Sequence, residues 1–176
     1  MVVIFEIKLG LRKVPNGMKV IKRKAVKGII LKEDKILLLK TNKGDYKIPG
    51  GGIKSGETVE ECLRREILEE TGYSSIDIEE LIGTVKEIKP DCYDPDYCFC
   101  MDSEYYLCSL TSEWKEKLKL DDYEKEQEFE PQFIDIRDAI RTNNLILSSD
   151  ATDINNWVER ELIILNNIAE EIINNE

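Results

Sequence analysis

Histidine is wholly absent from this 176-residue chain, and that absence closes off several chemistries at once. Neither a Ser-His-Asp triad, a Cys-His pair nor a histidine-ligated zinc can be built. Proton transfer must fall to Glu, Asp, Lys, Tyr or Cys. Hydrolysis by water activated between carboxylates and a metal ion needs no imidazole and stays open. Positive charge is also scarce: 25 Lys and Arg against 36 Asp and Glu leave a net charge of −11. A groove for a nucleic-acid polymer needs a basic footprint, so that partner is not expected. No apolar run is long enough to span a membrane, and the opening MVVIFEIKLGL is too short and too charged for a signal peptide. A cytoplasmic protein is expected, built as a single domain over residues 1–176, since that length buries a substantial core. Internal repeats and low-complexity linkers are missing too.

Five cysteines are present, and four of them cluster at Cys92, Cys98, Cys100 and Cys108. No C-x-x-C pair occurs among them, which weakens a Cys-only zinc site. Cys62 lies where a small apolar side chain packs well. Reduced, mostly buried thiols are the expected state.

The most informative stretch is Gly51 to Tyr73, GGIKSGETVEECLRREILEETGY. At about 100° per residue, Val59, Leu63 and Ile67 form an apolar stripe facing a core. Glu66 and Glu70 fall within that stripe, with Glu69 on its flank. Solvated helices turn their acids away from the apolar face. Carboxylates turned inward cost free energy unless a cation neutralises them, so the stretch reads as a metal-binding helix. Thr58 and Glu61 have capping-box spacing, and Gly72 is placed as the left-handed stop. Before the helix, Pro49-Gly50-Gly51-Gly52 forms a loop whose backbone can approach a ligand closely. Carbonyl and carboxylate oxygens together favour Mg²⁺ or Mn²⁺.

The order Gly51, Glu57, Arg65-Glu66-Ile67, Glu69-Glu70, Gly72-Tyr73 resembles a complete Nudix box, with only the final aliphatic position changed, to Tyr73. The resemblance extends over about residues 20 to 145. It implies an α+β fold, a Nudix-type α/β/α sandwich with a mixed β-sheet. It also implies Mg²⁺-dependent pyrophosphohydrolysis of a nucleoside diphosphate linked to another group. Glu69 and Glu70 are the metal ligands it implies, joined by the Gly50 carbonyl. Glu66 is either a ligand or the base that takes the proton from water, and Arg65 orients the carboxylates. Glu57 ties loop to helix. In this family the base comes from the box or from a later loop, and here Asp121 to Glu130 offers Glu126, Glu128 and Glu130, with Glu128 first. A solvated acidic surface is the plain alternative for that run.

The single-domain form and the YKIPGGG stretch resemble members that hydrolyse nucleoside triphosphates, including oxidised ones such as 8-oxo-dGTP. ADP-ribose or NDP-sugar hydrolysis is the alternative, as are a nucleotide-sensing domain without turnover and an isomerase acting on a diphosphate. Tyr46, Phe99, Tyr105, Phe133 and Asn144 are candidates for contacting a base. Elsewhere, 24–31 and 36–40 read as strands around a polar turn, 76–88 as one or two strands, 89–97 as a loop, 98–110 and 133–136 as strands, and 137–143 as the start of a helix. From about Asp150 to Asn174, apolar residues recur at helical spacing. The expectation is a helix packed across its own domain, with a homodimer interface as the other reading.

Overall fold

In the computed structural model, residues 3–173 are described. The elements run β1 (Phe5–Gly10), β2 (Lys19–Lys32), β3 (Lys35–Lys40), β4 (Tyr46–Lys47), α1 (Val59–Thr71), β5 (Ile76–Pro90), β6 (Tyr97–Leu110), α2 (Asp122–Glu126), β7 (Glu130–Asp135), α3 (Ile136–Leu147) and α4 (Val158–Ile168), with a closing π-helical turn Ala169–Ile173. Alternation along β2 and β3 sends Ile29, Ile36 and Leu38 to one face and Val26, Ile30 and Leu37 to the other, all of them fully buried. A sheet that is apolar on both faces has to be covered on both. Leu63 and Ile67 of α1 cover one side. Ala139 of α3 and Ile164, Leu165 and Ile168 of α4 cover the other. The expected α/β/α sandwich results.

The sheet has seven strands in the order β1-β5-β6-β2-β3-β4, with β7 also pairing β3. It is mixed: β1 runs parallel to β5 and β2 to β6, while the other pairs are antiparallel. β2 pairs with β6 from Lys19 to Ile30 but with β3 only at Leu31 and Lys32. The free edge of β2 is taken by the glycine loop. Val26 N–H donates to the Gly51 carbonyl, Gly28 N–H to that of Pro49, and Ile53 N–H to that of Lys24, each at 3.0 Å. Gly50 sits at φ 130°, and a Cβ there would lie 2.2 Å from the Val26 carbonyl oxygen. Only glycine lets the loop lie this close to the sheet.

Several boundaries differ from the sequence pattern. The opening segment, considered above only as a leader, carries an edge strand, because FEIKLG alternates with period two. β5 is one strand and continues through Pro90, shortening the expected loop to residues 91–96. The tail helix begins at Val158 rather than near Asp150. Ile154, Trp157 and Val158 have helical spacing, but Asn155 and Trp157 both donate to the buried Asp45, which pulls the chain off a helical path. Asn174 and the side chains of Ile172 and Ile173 lie outside the described residues. No described helix is long and apolar enough to cross a membrane.

Candidate active site

α1 is fixed at both ends before it presents anything. Thr58 and Glu61 form a reciprocal capping box, and Gly72 closes the helix at φ 80° with its N–H on the Leu68 carbonyl. The helix then turns its acids in two directions. Glu66 and Glu70 face inward at 8% and 1% exposure, whereas the Glu69 side chain is 32% exposed and pairs with Arg65 at 3.3 Å.

Arg65 organises the outer half of the site. Its Nε and Nη2 donate to the two oxygens of Glu57 at 2.6 and 2.9 Å, a bidentate pairing. Nη1 donates to Glu66 and Glu69. Glu57 also accepts the Lys54 N–H at 2.9 Å, so the glycine loop is tied to the helix. The guanidinium holds the Glu57 carboxyl down at about 2. Glu66 lies directly under Gly51, where a Cβ would fall 2.6 Å from its carboxyl atoms.

Glu70 occupies the inner half. Its Oε2 accepts the Gly50 N–H at 2.6 Å, and its Oε1 faces the Lys47 ammonium across 3.6 Å. Burial pushes its carboxyl upward, against the opposing pull of Lys47, Lys27 and the Gly50 N–H. The Gly50 carbonyl accepts the buried Lys27 ammonium at 2.6 Å, and a carbonyl's second lone pair still leaves room for one more partner. Burial, followed by Lys47, lowers the Lys27 ammonium.

The third wall comes from the acidic run, which folds as α2 rather than as a plain loop. Asp121 and Glu124 form a second capping box, and this turns Glu124 toward α1. Glu66, Glu70 and Glu124 each offer a carboxylate oxygen, and the three atoms lie within 4.8 Å of one another. Burial pushes the Glu124 carboxyl upward as well. Three carboxylates this close repel unless protons or a cation intervene. An all-oxygen donor set of this kind fits Mg²⁺ or Mn²⁺.

Of the residues anticipated from the sequence, Gly50, Glu66 and Glu70 meet at this point, with Arg65 bracing Glu66. Glu69 stands beside the group and is paired to Arg65. Glu128 does not join it: it is exposed, at φ 52°, in the turn after α2. Glu126 and Glu130 are exposed too. Glu124 was recoverable from the Asp121–Glu124 spacing, the same capping signal that Thr58 and Glu61 carry. Counting acids alone does not find it.

The carboxylates open into a cleft of about 760 Å³ whose lining includes Arg23, Lys27, Lys47, Phe99, Tyr123 and Trp157. Phe99 is thus placed for contact with a ligand, whereas Tyr46 and Tyr105 are buried in the core and Phe133 packs against Tyr73. Tyr123 and Trp157 were not anticipated. They meet edge to face with centroids 6.0 Å apart. Among the cysteines, Cys62, Cys98 and Cys108 are buried and all five are free. Burial pushes the Cys62 thiol up to about 12, so it serves as packing rather than as a nucleophile.

The family model of the NUDIX domain matches residues 21–153. The chain belongs to the Nudix family. An ADP-ribose pyrophosphatase of Methanocaldococcus jannaschii is 56% identical over 52 residues, covering 27% of this chain and 31% of that protein. The nucleoside triphosphatase NudI of Escherichia coli is 45% identical over 53 residues, covering 30% of this chain and 32% of the other. The chain therefore spans less than a third of the length of either curated relative. A solved Nudix hydrolase from Nitrosomonas europaea superposes with a TM-score of 0.56 at 19% identity, covering 82% of this chain and 88% of that one. At that identity the likeness concerns the Nudix fold alone. The box residues of this Nudix chain lie on α1 and the loop that fills the edge of β2, and the acid outside the box comes from α2.

Proposed function

We propose that the protein is a Mg²⁺-dependent pyrophosphohydrolase that cleaves a nucleoside diphosphate linked to another group. The observation carrying this reading is the convergence of Glu66, Glu70 and Glu124 within 4.8 Å at the wall of a large cleft. In this reading Glu66, Glu70 and Glu124 hold the metal, with the Gly50 carbonyl as a further ligand and Glu69 beside them. A bound Mg²⁺ or Mn²⁺ supplies charge neutralisation at the diphosphate oxygens and a more acidic water.

The chain's own groups do the rest. Arg65 keeps Glu66 in place and its charge balanced. A base works best when its pKa approaches the working pH. The Glu124 carboxyl is pushed upward by burial. Its Oε2 accepts the Asp121 N–H at 2.8 Å, which leaves Oε1 either to hold the metal or, with the metal on Glu66 and Glu70 alone, to take the proton of the attacking water. Glu66 is the box alternative for that proton. Tyr123, Trp157 and Phe99 give the cleft its aromatic lining.

Nucleoside triphosphates, including oxidised ones such as 8-oxo-dGTP, head the candidate substrates. The second reading is ADP-ribose, favoured by the likeness to the protein named ADP-ribose pyrophosphatase. The deciding experiment is a panel of NTPs, oxidised dNTPs, NDP-sugars, ADP-ribose and dinucleoside polyphosphates with Mg²⁺ or Mn²⁺. Release of a nucleoside monophosphate from at least one of them is expected. Silence across the panel would leave a nucleotide-binding domain without turnover as the better description.

A further inference from the structure

Of the cations that line the cleft, Lys27, Arg65 and Arg160 are already committed. Lys27 donates to the Gly50 and Ile48 carbonyls. Arg65 is spent on Glu57, Glu66 and Glu69. Arg160 pairs with Glu87 and Glu161. Lys47 is different. Its side chain is only 12% exposed, yet the ammonium makes no hydrogen bond among the described residues and meets Glu70 only at 3.6 Å. Instead it lies over two aromatic rings, 4.5 Å from the Phe129 centroid and 5.4 Å from that of Trp157. Tyr123 braces both rings, edge to face. The rings offset part of the cost of removing the charge from water, but they accept none of its three N–H donors.

Glu70 has two claimants in this arrangement. A divalent ion on the Glu66–Glu70–Glu124 group takes over the carboxylate that faces Lys47. The ammonium then confronts a like charge a few ångströms away in a weakly screened cleft. An anion placed between the two relieves that repulsion and supplies the missing acceptors. A diphosphate oxygen fits the requirement, because the substrate brings it to the metal in any case.

We propose that Lys47 is a substrate-binding residue: an ammonium held in the Phe129–Trp157 box that exchanges Glu70 for a phosphoryl oxygen of a diphosphate when metal occupies the carboxylates. The proposal rests on the metal-and-diphosphate reading given above. It makes metal and diphosphate binding mutually favourable through one side chain, and such coupling is reciprocal.

The test is Lys47→Met, whose flexible apolar side chain keeps packing against the rings. Mn²⁺ binding is titrated without any diphosphate, by the resonance signal of free Mn²⁺. Methylenediphosphonate, a non-hydrolysable diphosphate, is then titrated calorimetrically with Mn²⁺ saturating. The variant is expected to bind Mn²⁺ alone more tightly, because a competing cation is gone. It is expected to bind the diphosphonate about tenfold or more weakly, the loss typical of a charge-assisted hydrogen bond. Lys47→Arg restores most of the diphosphonate affinity. Diphosphonate affinity within about twofold of wild type would overturn the proposal, whether or not Mn²⁺ affinity changes. So would an equal loss in Lys47→Arg, which would make the residue a packing element of the box. Neither titration needs turnover. A protein inactive on the substrate panel can still support the proposal, and an active one whose Lys47→Met variant binds normally refutes it alone.

Discussion

At the scale of single residues, position relative to a few backbone donors separates acids that the sequence lists side by side. Glu124 and Glu128 stand four apart in one acidic run. Glu124 is turned inward by the N–H of Asp121 and reaches Glu66 and Glu70. Glu128 is exposed and outside the group. Glu124→Gln is therefore expected to lower kcat by roughly 10²- to 10³-fold, the range seen when a group that stabilises developing charge is removed. Glu128→Gln should stay within about twofold. Steady-state kinetics at saturating Mg²⁺, on whichever substrate the panel identifies, decides between them, and a large loss in Glu128→Gln alone would return the role to that residue. Glu66→Gln and Glu70→Gln belong with Glu124→Gln. Glu69→Gln is expected to lose less, because its carboxylate lies beside the group and pairs with Arg65.

At the scale of elements, the clamp between the glycine loop and α1 has its own pH dependence. Arg65 holds Glu57 at about 2, against an ordinary value of 4.5. Between those two pH values the unfolded chain binds a proton there that the folded protein does not, so stability rises with pH across the window. The contribution is complete above about 4.5 and lost as pH falls through about 2. Thermal unfolding followed from pH 5 down to pH 2 is expected to show a shallower decline in Glu57→Gln than in wild type; parallel curves would mean the pairing adds nothing to stability. The box helix, both its caps and its inward acids were legible because they depend on residues within one or two turns of each other. So was the β2–β3 hairpin, from local alternation, whereas the sandwich was expected from the Nudix resemblance and is carried in the structure by burial on both faces of the sheet. The start of α4 was not. Its apolar spacing extends back to Ile154, but Asp45, more than a hundred residues earlier in the chain, accepts from Asn155 and Trp157. Tyr123 and Trp157 escaped notice for the same reason, since only the fold sets the α2 turn beside the α4 entrance.

For the whole molecule, the excess of negative charge and the buried carboxylates work in one direction. Net charge is −11, and burial pushes Glu70 and Glu124 toward their protonated forms. The folded protein without metal thus holds acids close together at a cost that the unfolded chain does not bear. A divalent ion bound only by the folded state lowers that cost and shifts unfolding by mass action. At a hundredfold excess over its dissociation constant the gain is about 2.7 kcal/mol, which for a chain of this length corresponds to a rise of roughly 5 to 10 °C in Tm. Scanning calorimetry with and without Mg²⁺, at constant ionic strength, is the measurement. Constant ionic strength matters because general screening also relieves self-repulsion in an acidic protein. Glu70→Gln supplies the control: it removes a ligand, so the variant, measured against its own unfolding temperature without metal, should gain little when Mg²⁺ is added. An equal Mg²⁺ response in wild type and variant would attribute the shift to surface charge and place the ion elsewhere.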